Sequence, residues 1–234
     1  MASFRLSRDH NTHIVCVFFY RSMTKIYLVR HGESVANTQG IYQGITYNTP
    51  LSDLGSQQAR ALAGRFQNTT ISKIIASPLE RTHQTASIVG SSKQINIEIE
   101  KNIIETNHGL WEGEHKNTIA QNWPDLYKKW QKFPSGVQFP DGEHFLDTQK
   151  RVLNWWKKIV SDNSHNLLVV SHDNIIRIII AKVLNMKLNR IWKFHLHPTA
   201  VTVIDVEAGN AGLVDLNNAS HLGNLQTNLA LHAL

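Results

Sequence analysis

The chain has 234 residues, 41% of them hydrophobic and 18% charged, a composition and length that suit one sizeable α/β domain and are short for two. The single cysteine, Cys16, excludes a disulfide framework and a cysteine-based zinc site. The formal net charge of +6 is spread along the chain rather than gathered in a block, which argues against a nucleic-acid footprint and for a small anion held in a pocket.

Residues 1–22 read as an N-terminal extension without an assigned role. Their apolar run, Ile14–Tyr20, is too short to span a bilayer, and no small-residue cleavage site follows it. No membrane partner is expected, and a cytoplasmic location is the natural reading, with a short organellar targeting segment as the alternative. Clean periodicity begins at Met23, the expected start of a folded domain over 23–234. Lys25–Arg30 reads as a short buried strand running straight into His31 and Gly32. Ser52–Phe66 is predicted helical, with Ser52 as N-cap and Leu54, Ala61, Leu62 and Phe66 on its apolar face. A strand over Ile71–Ala76, a helix over Glu80–Val89 and a half-buried or edge strand over Ile95–Ile99 follow. Trp111–Pro140, rich in Trp, Pro and Lys, reads as a helical insertion that could cover a site. Glu143–Val160 is a further helix whose Trp155 and Trp156 should enter the core. Leu167–Ser171 is a fully apolar strand, Asn174–Leu184 a helix, and Ala200–Val206 a last strand closing the sheet.

Strands alternating with helices predict an α/β three-layer sandwich, with a mostly parallel sheet covered on both faces. His31 and His172 each stand at the C-terminal end of an apolar strand, where sites of open α/β sheets gather. The first motif, Leu28-Val29-Arg30-His31-Gly32-Glu33-Ser34 followed by Asn37, has the parts that nucleophilic attack on phosphorus needs. These are an imidazole, a permanently charged guanidinium fork, and a glycine that brings backbone close to an oxyanion beside a helix start. Alone, an Arg-His-Gly tripeptide is more often a core histidine beside a surface arginine.

Two further segments join it: Ser77-Pro78-Leu79-Glu80-Arg81-Thr82-His83-Gln84-Thr85-Ala86, with Arg81 on the first turn of a helix, and Val169-Val170-Ser171-His172. In this order and spacing the three resemble the histidine phosphatase superfamily, with its phosphoglycerate mutase-like fold, over roughly residues 23–225. The resemblance implies that His31 is the nucleophile that becomes phosphohistidine. It puts Arg30, Arg81 and His172 around the phosphate, with Asn37, Gln43 and Gly44 beside the substrate. Ile104-Glu105-Thr106-Asn107-His108-Gly109-Leu110-Trp111-Glu112-Gly113 is similar to the stretch that carries the proton donor, a role that falls on Glu105. To start protonated, Glu105 needs a pKa raised by burial or by phosphate charge. Glu112 and Glu114 read as solvated carboxylates. No metal and no cofactor is expected.

The chain departs from the family pattern at Asp173, where glycine commonly follows the second histidine, and at Pro198. Asp173 reads either as the cap of the following helix or as a group that orients or charges His172. The short insertion and the Glu105-Thr106-Asn107-His108 sequence resemble the phosphatase rather than the mutase branch. Ile103–Trp111 and the tail Leu216-Asn217-Asn218-Ala219-Ser220-His221-Leu222-Gly223 resemble the metal-independent phosphoserine phosphatases most closely. This resemblance implies L-phosphoserine as substrate, a place in serine biosynthesis, and His108 and His221 at the pocket mouth as carboxylate ligands. It also suggests a homodimer. The alternatives are a phosphatase of α-ribazole phosphate, a sugar phosphate or a sugar-acid phosphate, a phosphoglycerate mutase, or a non-enzymatic member with a decayed pocket.

Overall fold

A computed structural model describes residues 6–8, 14–16, 23–161 and 166–233. Of the N-terminal segment, β1 (Leu6–Arg8) and β2 (Ile14–Cys16) pair antiparallel with each other, and most of the Ile14–Tyr20 run lies outside the described residues. A six-stranded sheet organises the remainder. Its strands are β3 (Thr24–Arg30), β4 (Lys73–Ala76), β5 (Ile97–Ile99), β6 (Leu167–Ser171), β7 (Val201–Glu207) and β8 (Asn210–Asn218), in the spatial order β5-β4-β6-β3-β7-β8. The first four are mutually parallel; β7 and β8 join antiparallel.

Period-two alternation along the central strands feeds two separate cores. Ile26 and Leu28 of β3 and Leu167 and Val169 of β6 enter one cluster; Val29, Leu168 and Val170 enter the other. The second cluster is covered by α2 (Asp53–Arg65) through Leu62 and by α3 (Glu80–Lys93) through Ala86 and Val89. The first is covered by α6 (Phe145–Ser161) and α7 (Asp173–Val183), with Trp155 and Trp156 buried as expected. Layers on both faces explain why β6 reads as an unbroken apolar run, since a parallel strand covered twice has no polar side. The expected insertion is helical: α4 (Lys116–Asn122) and α5 (Pro124–Lys132) bring Ile119 and Trp130 onto the first core. A four-residue helix, α1 (Val35–Thr38), follows the first motif.

The sheet does not close at Val206 as the sequence suggests. A tight turn through Ala208 and Gly209, both at positive φ, leads into β8, which forms the edge. Asn, Asp and Gly weaken the strand signal of β8, and its pairing with β7 supplies what propensity lacks. No helix among the described residues is long and apolar enough to cross a membrane.

Candidate active site

The register of β3 against β6 builds the centre. Arg30 pairs with Ser171, so the residues leaving the two strands, His31 and His172, emerge side by side with ring centroids 5.3 Å apart. His31 Nδ1 lies 2.7 Å from the carbonyl oxygen of Gly32. A carbonyl only accepts, so Nδ1 carries the hydrogen and Nε2 keeps its lone pair. Burial, then the charges of Arg81 and Arg30, hold the His31 pKa well below the usual imidazole value. His172 is likewise neutral, and its Nε2 sits 2.7 Å from Ser77 Oγ.

Gly32 serves packing. A side chain there would run into the backbone of Gly55, and its N–H already donates to Thr85 Oγ1. The helix start after it is occupied as well, by a reciprocal cap between Ser34 and Asn37. The oxyanion donors expected there come instead from side chains. Arg81 donates from Nε to His31 Nε2 (3.2 Å) and from Nη2 to the Gly44 carbonyl (3.0 Å). Arg30 donates from Nη1 to the Leu196 carbonyl (2.8 Å) and to Asp173 Oδ1 (3.3 Å), and its Nη2 meets His232 Nδ1 (3.3 Å). Arg30 Nε, Arg81 Nη1 and His108 Nδ1 are buried with no protein partner among the described residues, whereas His172, bonded to Ser77, is not among the residues that line the cavity. Buried N–H groups are ordinarily satisfied, so a cluster of orphan donors is the mark of a site for a multiply charged oxyanion.

Glu105 is 3% exposed, and burial lifts its pKa to about 7 against the opposing Thr106 N–H and Arg81. The raised carboxyl that the chemistry needs is therefore present before any phosphate binds. Arg30, His31, Asn37, Gln43, Gly44, Arg81, Glu105, His108 and Asp173 line one small cavity, together with Ile41, Tyr42 and Ala233. Asn37 Oδ1 is taken by Ser34 and Gln43 Oε1 by Thr49, so each can offer the cavity its amide Nδ2 or Nε2. Gly44 has φ +96°, and a side chain there would collide with the Glu112 carboxylate.

Four sequence expectations change. Asp173 neither caps α7 nor hydrogen-bonds to the His172 ring; the N-cap position is His172 itself. Asp173 lies buried in the first turn, bonded to Arg30 and, one turn on, to Arg177, which with Arg30 keeps its carboxyl ionised despite burial. Arg177 also donates to the carbonyls of Ile191 and Phe194 and lies over the Trp192 ring. Glu112 is not a free solvated carboxylate, because it accepts from the backbone N–H groups of Ile45, Thr46, Tyr47 and His108 and so fixes the loop that carries Gly44. His108 is not at a solvated rim. It is 1% exposed, with its pKa lowered to about 3 mainly by burial, and its Nε2 accepts from Asn174. His221 does not line the cavity: Arg65 of α2 bonds to Asn218 at the end of β8 and meets His221 Nδ1 at 3.3 Å, which keeps that ring beside α2. The tail nevertheless reaches the site further along, through His232 and Ala233. Of these, only the Asp173–Arg177 pair left a trace in the sequence, an i,i+4 charge match. His10, His13 and His165, to which the sequence assigns no role, lie outside the described residues.

An imidazole lone pair, two buried guanidinium groups and a carboxyl of raised pKa at the strand ends of an α/β sheet define a protein built to handle an oxyanion. Comparison with known proteins gives the class its name: residues 26–219 match the histidine phosphatase superfamily (branch 1), and the chain belongs to that family. Phosphoserine phosphatase 1 of Hydrogenobacter thermophilus is 31% identical over 202 residues, covering 86% of this chain and 95% of the relative. The adenosylcobalamin/alpha-ribazole phosphatase of Escherichia coli is 30% identical, covering 83% and 96%. Among solved structures, Bacillus stearothermophilus YhfR superposes with a TM-score of 0.81 at 29% identity, covering 85% of this chain and 99% of its own. A phosphoserine phosphatase mutant of Entamoeba histolytica in complex with phosphoserine gives 0.75 at 27% identity, covering 85% and 99%. Family membership supports phosphatase activity, and the relatives' names divide over the substrate.

Proposed function

We propose that the chain is a phosphoric monoester hydrolase that works through a phosphohistidine on His31, needs no metal, and takes L-phosphoserine as substrate. The observation that carries the reading is the 2.7 Å contact from His31 Nδ1 to the Gly32 carbonyl, which leaves Nε2 unprotonated inside a doubly cationic pocket. Arg30 and Arg81 neutralise the phosphoryl oxygens, with the His172 ring packed edge-on against His31 beside them. His31 Nε2 attacks phosphorus in line, the bond from phosphorus to the ester oxygen breaks, and Glu105 gives its proton to the departing alkoxide. As carboxylate, Glu105 then takes a proton from water that attacks the phosphohistidine. The phosphorus–nitrogen bond breaks, phosphate is released, and Glu105 is again protonated.

Two observations support phosphoserine. His108 accepts from Asn174 at Nε2, so its Nδ1–H is a neutral donor on the cavity wall, suited to a carboxylate. The relatives named above include phosphoserine phosphatases at 31% and 27% identity. The purified protein should be assayed in EDTA against L-phosphoserine, α-ribazole 5′-phosphate, 3-phosphoglycerate, a sugar phosphate and p-nitrophenyl phosphate. The expected result is a kcat/KM for L-phosphoserine at least about tenfold above the others, the scale of one satisfied polar contact. No advantage over p-nitrophenyl phosphate would remove the substrate assignment, and abolition of all activity by EDTA would remove the mechanism.

A further inference from the structure

We propose that His232 is a positioning residue for Arg30, and that Glu33, the last residue of the Arg-His-Gly-Glu motif, orients His232 for that task; the inference rests on the reading of Arg30 as a phosphate ligand. The mechanism uses the first three residues of the motif and leaves Glu33 idle, although Glu33 is 6% exposed. Its Oε1 accepts from Ser52 Oγ, and its Oε2 stands 3.8 Å from His232 Nε2. On the other side of the same ring, His232 Nδ1 is 3.3 Å from Arg30 Nη2. A guanidinium has only donors, so Nδ1 must accept and the hydrogen must reside on Nε2, turned toward the Glu33 carboxylate. The order is carboxylate, imidazole, guanidinium; at 3.8 Å the Glu33 carboxylate makes no hydrogen bond to Nε2, which has no partner among the described residues, and favours this tautomer through its charge.

The consequence falls on Arg30. Its Nη1 is held by Asp173 Oδ1 and the Leu196 carbonyl, and His232 supplies the acceptor for Nη2. With both ends of the fork held, rotation of the guanidinium is blocked, and Nε is the group left without a protein partner. Burial, then the Arg30 charge, keeps His232 neutral with its pKa lowered to about 3, as an acceptor must be. The segment that carries the ring is tied down on two sides. Gln58 accepts from the Glu33 N–H at Oε1 and donates from Nε2 to the Leu225 carbonyl and Thr227 Oγ1, so one side chain joins the motif to the tail. Lys116 donates to the carbonyls of Ala230 and His232. A tail that served only as a cover would not need a buried imidazole presenting its lone pair to this arginine.

The test compares two replacements in the full-length protein, with p-nitrophenyl phosphate as substrate and inorganic phosphate as inhibitor. His232→Ala removes the acceptor; His232→Asn restores one, because the asparagine Oδ1 falls where Nδ1 was. Arg30 contacts the phosphate in ground and transition states alike, so the effect belongs in affinity rather than turnover. His232→Ala is expected to raise KM and the phosphate Ki about tenfold, the scale of one hydrogen bond to a charged group, with kcat within about twofold. His232→Asn is expected to stay within about threefold of wild type. Equal losses in the two variants, or no loss in His232→Ala, would overturn the proposal. Nitrogen-15 NMR of the unmodified protein gives a readout that does not depend on a variant folding: Nδ1 should be bare and Nε2 protonated, and the opposite tautomer refutes the assignment. Arg30→Ala separates the two layers, since indifference of KM to that change would sink the reading of Arg30 itself.

Discussion

Arg81 donates its Nε–H to Nε2 of His31 across 3.2 Å, so a cation assigned to the phosphoryl oxygens rests on the nitrogen assigned to attack phosphorus. The contact keeps the lone pair oriented and unprotonated. An arriving phosphate dianion offers Arg81 a stronger acceptor than an imidazole, and the switch of partners frees the nucleophile. Arg81→Lys should therefore lower kcat as well as raise KM, because a point charge replaces a planar fork that also holds the Gly44 carbonyl. A loss of about 10²-fold in kcat/KM is expected from steady-state kinetics with p-nitrophenyl phosphate. A change confined to KM would contradict the orienting role.

The proton inventory of the cleavage step is set by Glu105. With its pKa lifted to about 7, the acid form needed for leaving-group protonation is lost as pH rises through that value. The low-pH limb belongs to the second ionisation of the phosphate ester, near 6. A narrow bell in kcat/KM for an alkyl phosphate is expected, with its falling limb near pH 7. In Glu105→Gln that limb should vanish, with alkyl ester hydrolysis down by about 10²–10⁴-fold. Cleavage of p-nitrophenyl phosphate, whose phenolate leaves unaided, should persist as a burst. An unchanged falling limb in Glu105→Gln would assign the ionisation elsewhere.

Asp173 lies between two arginines with 1% exposure, so its charge cannot be removed cheaply. Asp173→Asn leaves Arg30 and Arg177 buried with no counter-charge, and breaking such a pair costs about 3–5 kcal/mol. Urea unfolding of Asp173→Asn should show a loss of that order, partly recovered in Asp173→Asn/Arg177→Met. A loss below about 0.5 kcal/mol would mean that the triad contributes no net stability.

Acid should weaken the fold well above the carboxylate range. The unfolded chain binds protons on its histidines near pH 6.5. The folded chain keeps the buried His108 and His232 neutral down to about 3, and His31 and His172 neutral well below their ordinary value. Below about pH 6.5 the unfolded state therefore binds more protons, and stability falls as pH falls. Glu105 opposes this by one proton between about pH 4.5 and 7, because its folded pKa is the higher one. Thermal unfolding should show Tm dropping by about 5 °C or more from pH 7 to pH 5. A flat profile would show that these rings are accessible to protons in the folded protein.

The strands nearest the site were legible because they are buried on both faces. Leu167–Val170 is an unbroken apolar run, and Thr24–Arg30 carries Ile26-Tyr27-Leu28-Val29, each leading to one of the two histidines. That Arg30, His31 and Arg81 come together was legible from the resemblance of their segments to histidine phosphatase motifs, since an Arg-His-Gly tripeptide alone does not show it. No comparable signal marks β8, whose polar residues are held by pairing with β7. Nor could it show Glu112, whose partners at 45–47 lie more than sixty residues away, as the separation of 66 between Glu112 and Thr46 illustrates. His221 and His232 share a tail, and the grips of Arg65, Gln58 and Lys116 decide which histidine meets the cavity. Local patterning carries no information on such long-range choices.

The central claim is a covalent phosphohistidine on His31, and trapping it is the direct measurement. Glu105→Gln should be mixed with p-nitrophenyl phosphate, quenched in base to preserve the phosphorus–nitrogen bond, digested and analysed by mass spectrometry. The account requires one phosphoryl group on the peptide that carries His31, formed with the burst of nitrophenolate and absent in His31→Ala. Hydrolysis that survives His31→Ala, or turnover with the phosphoryl group found on no histidine, would contradict it.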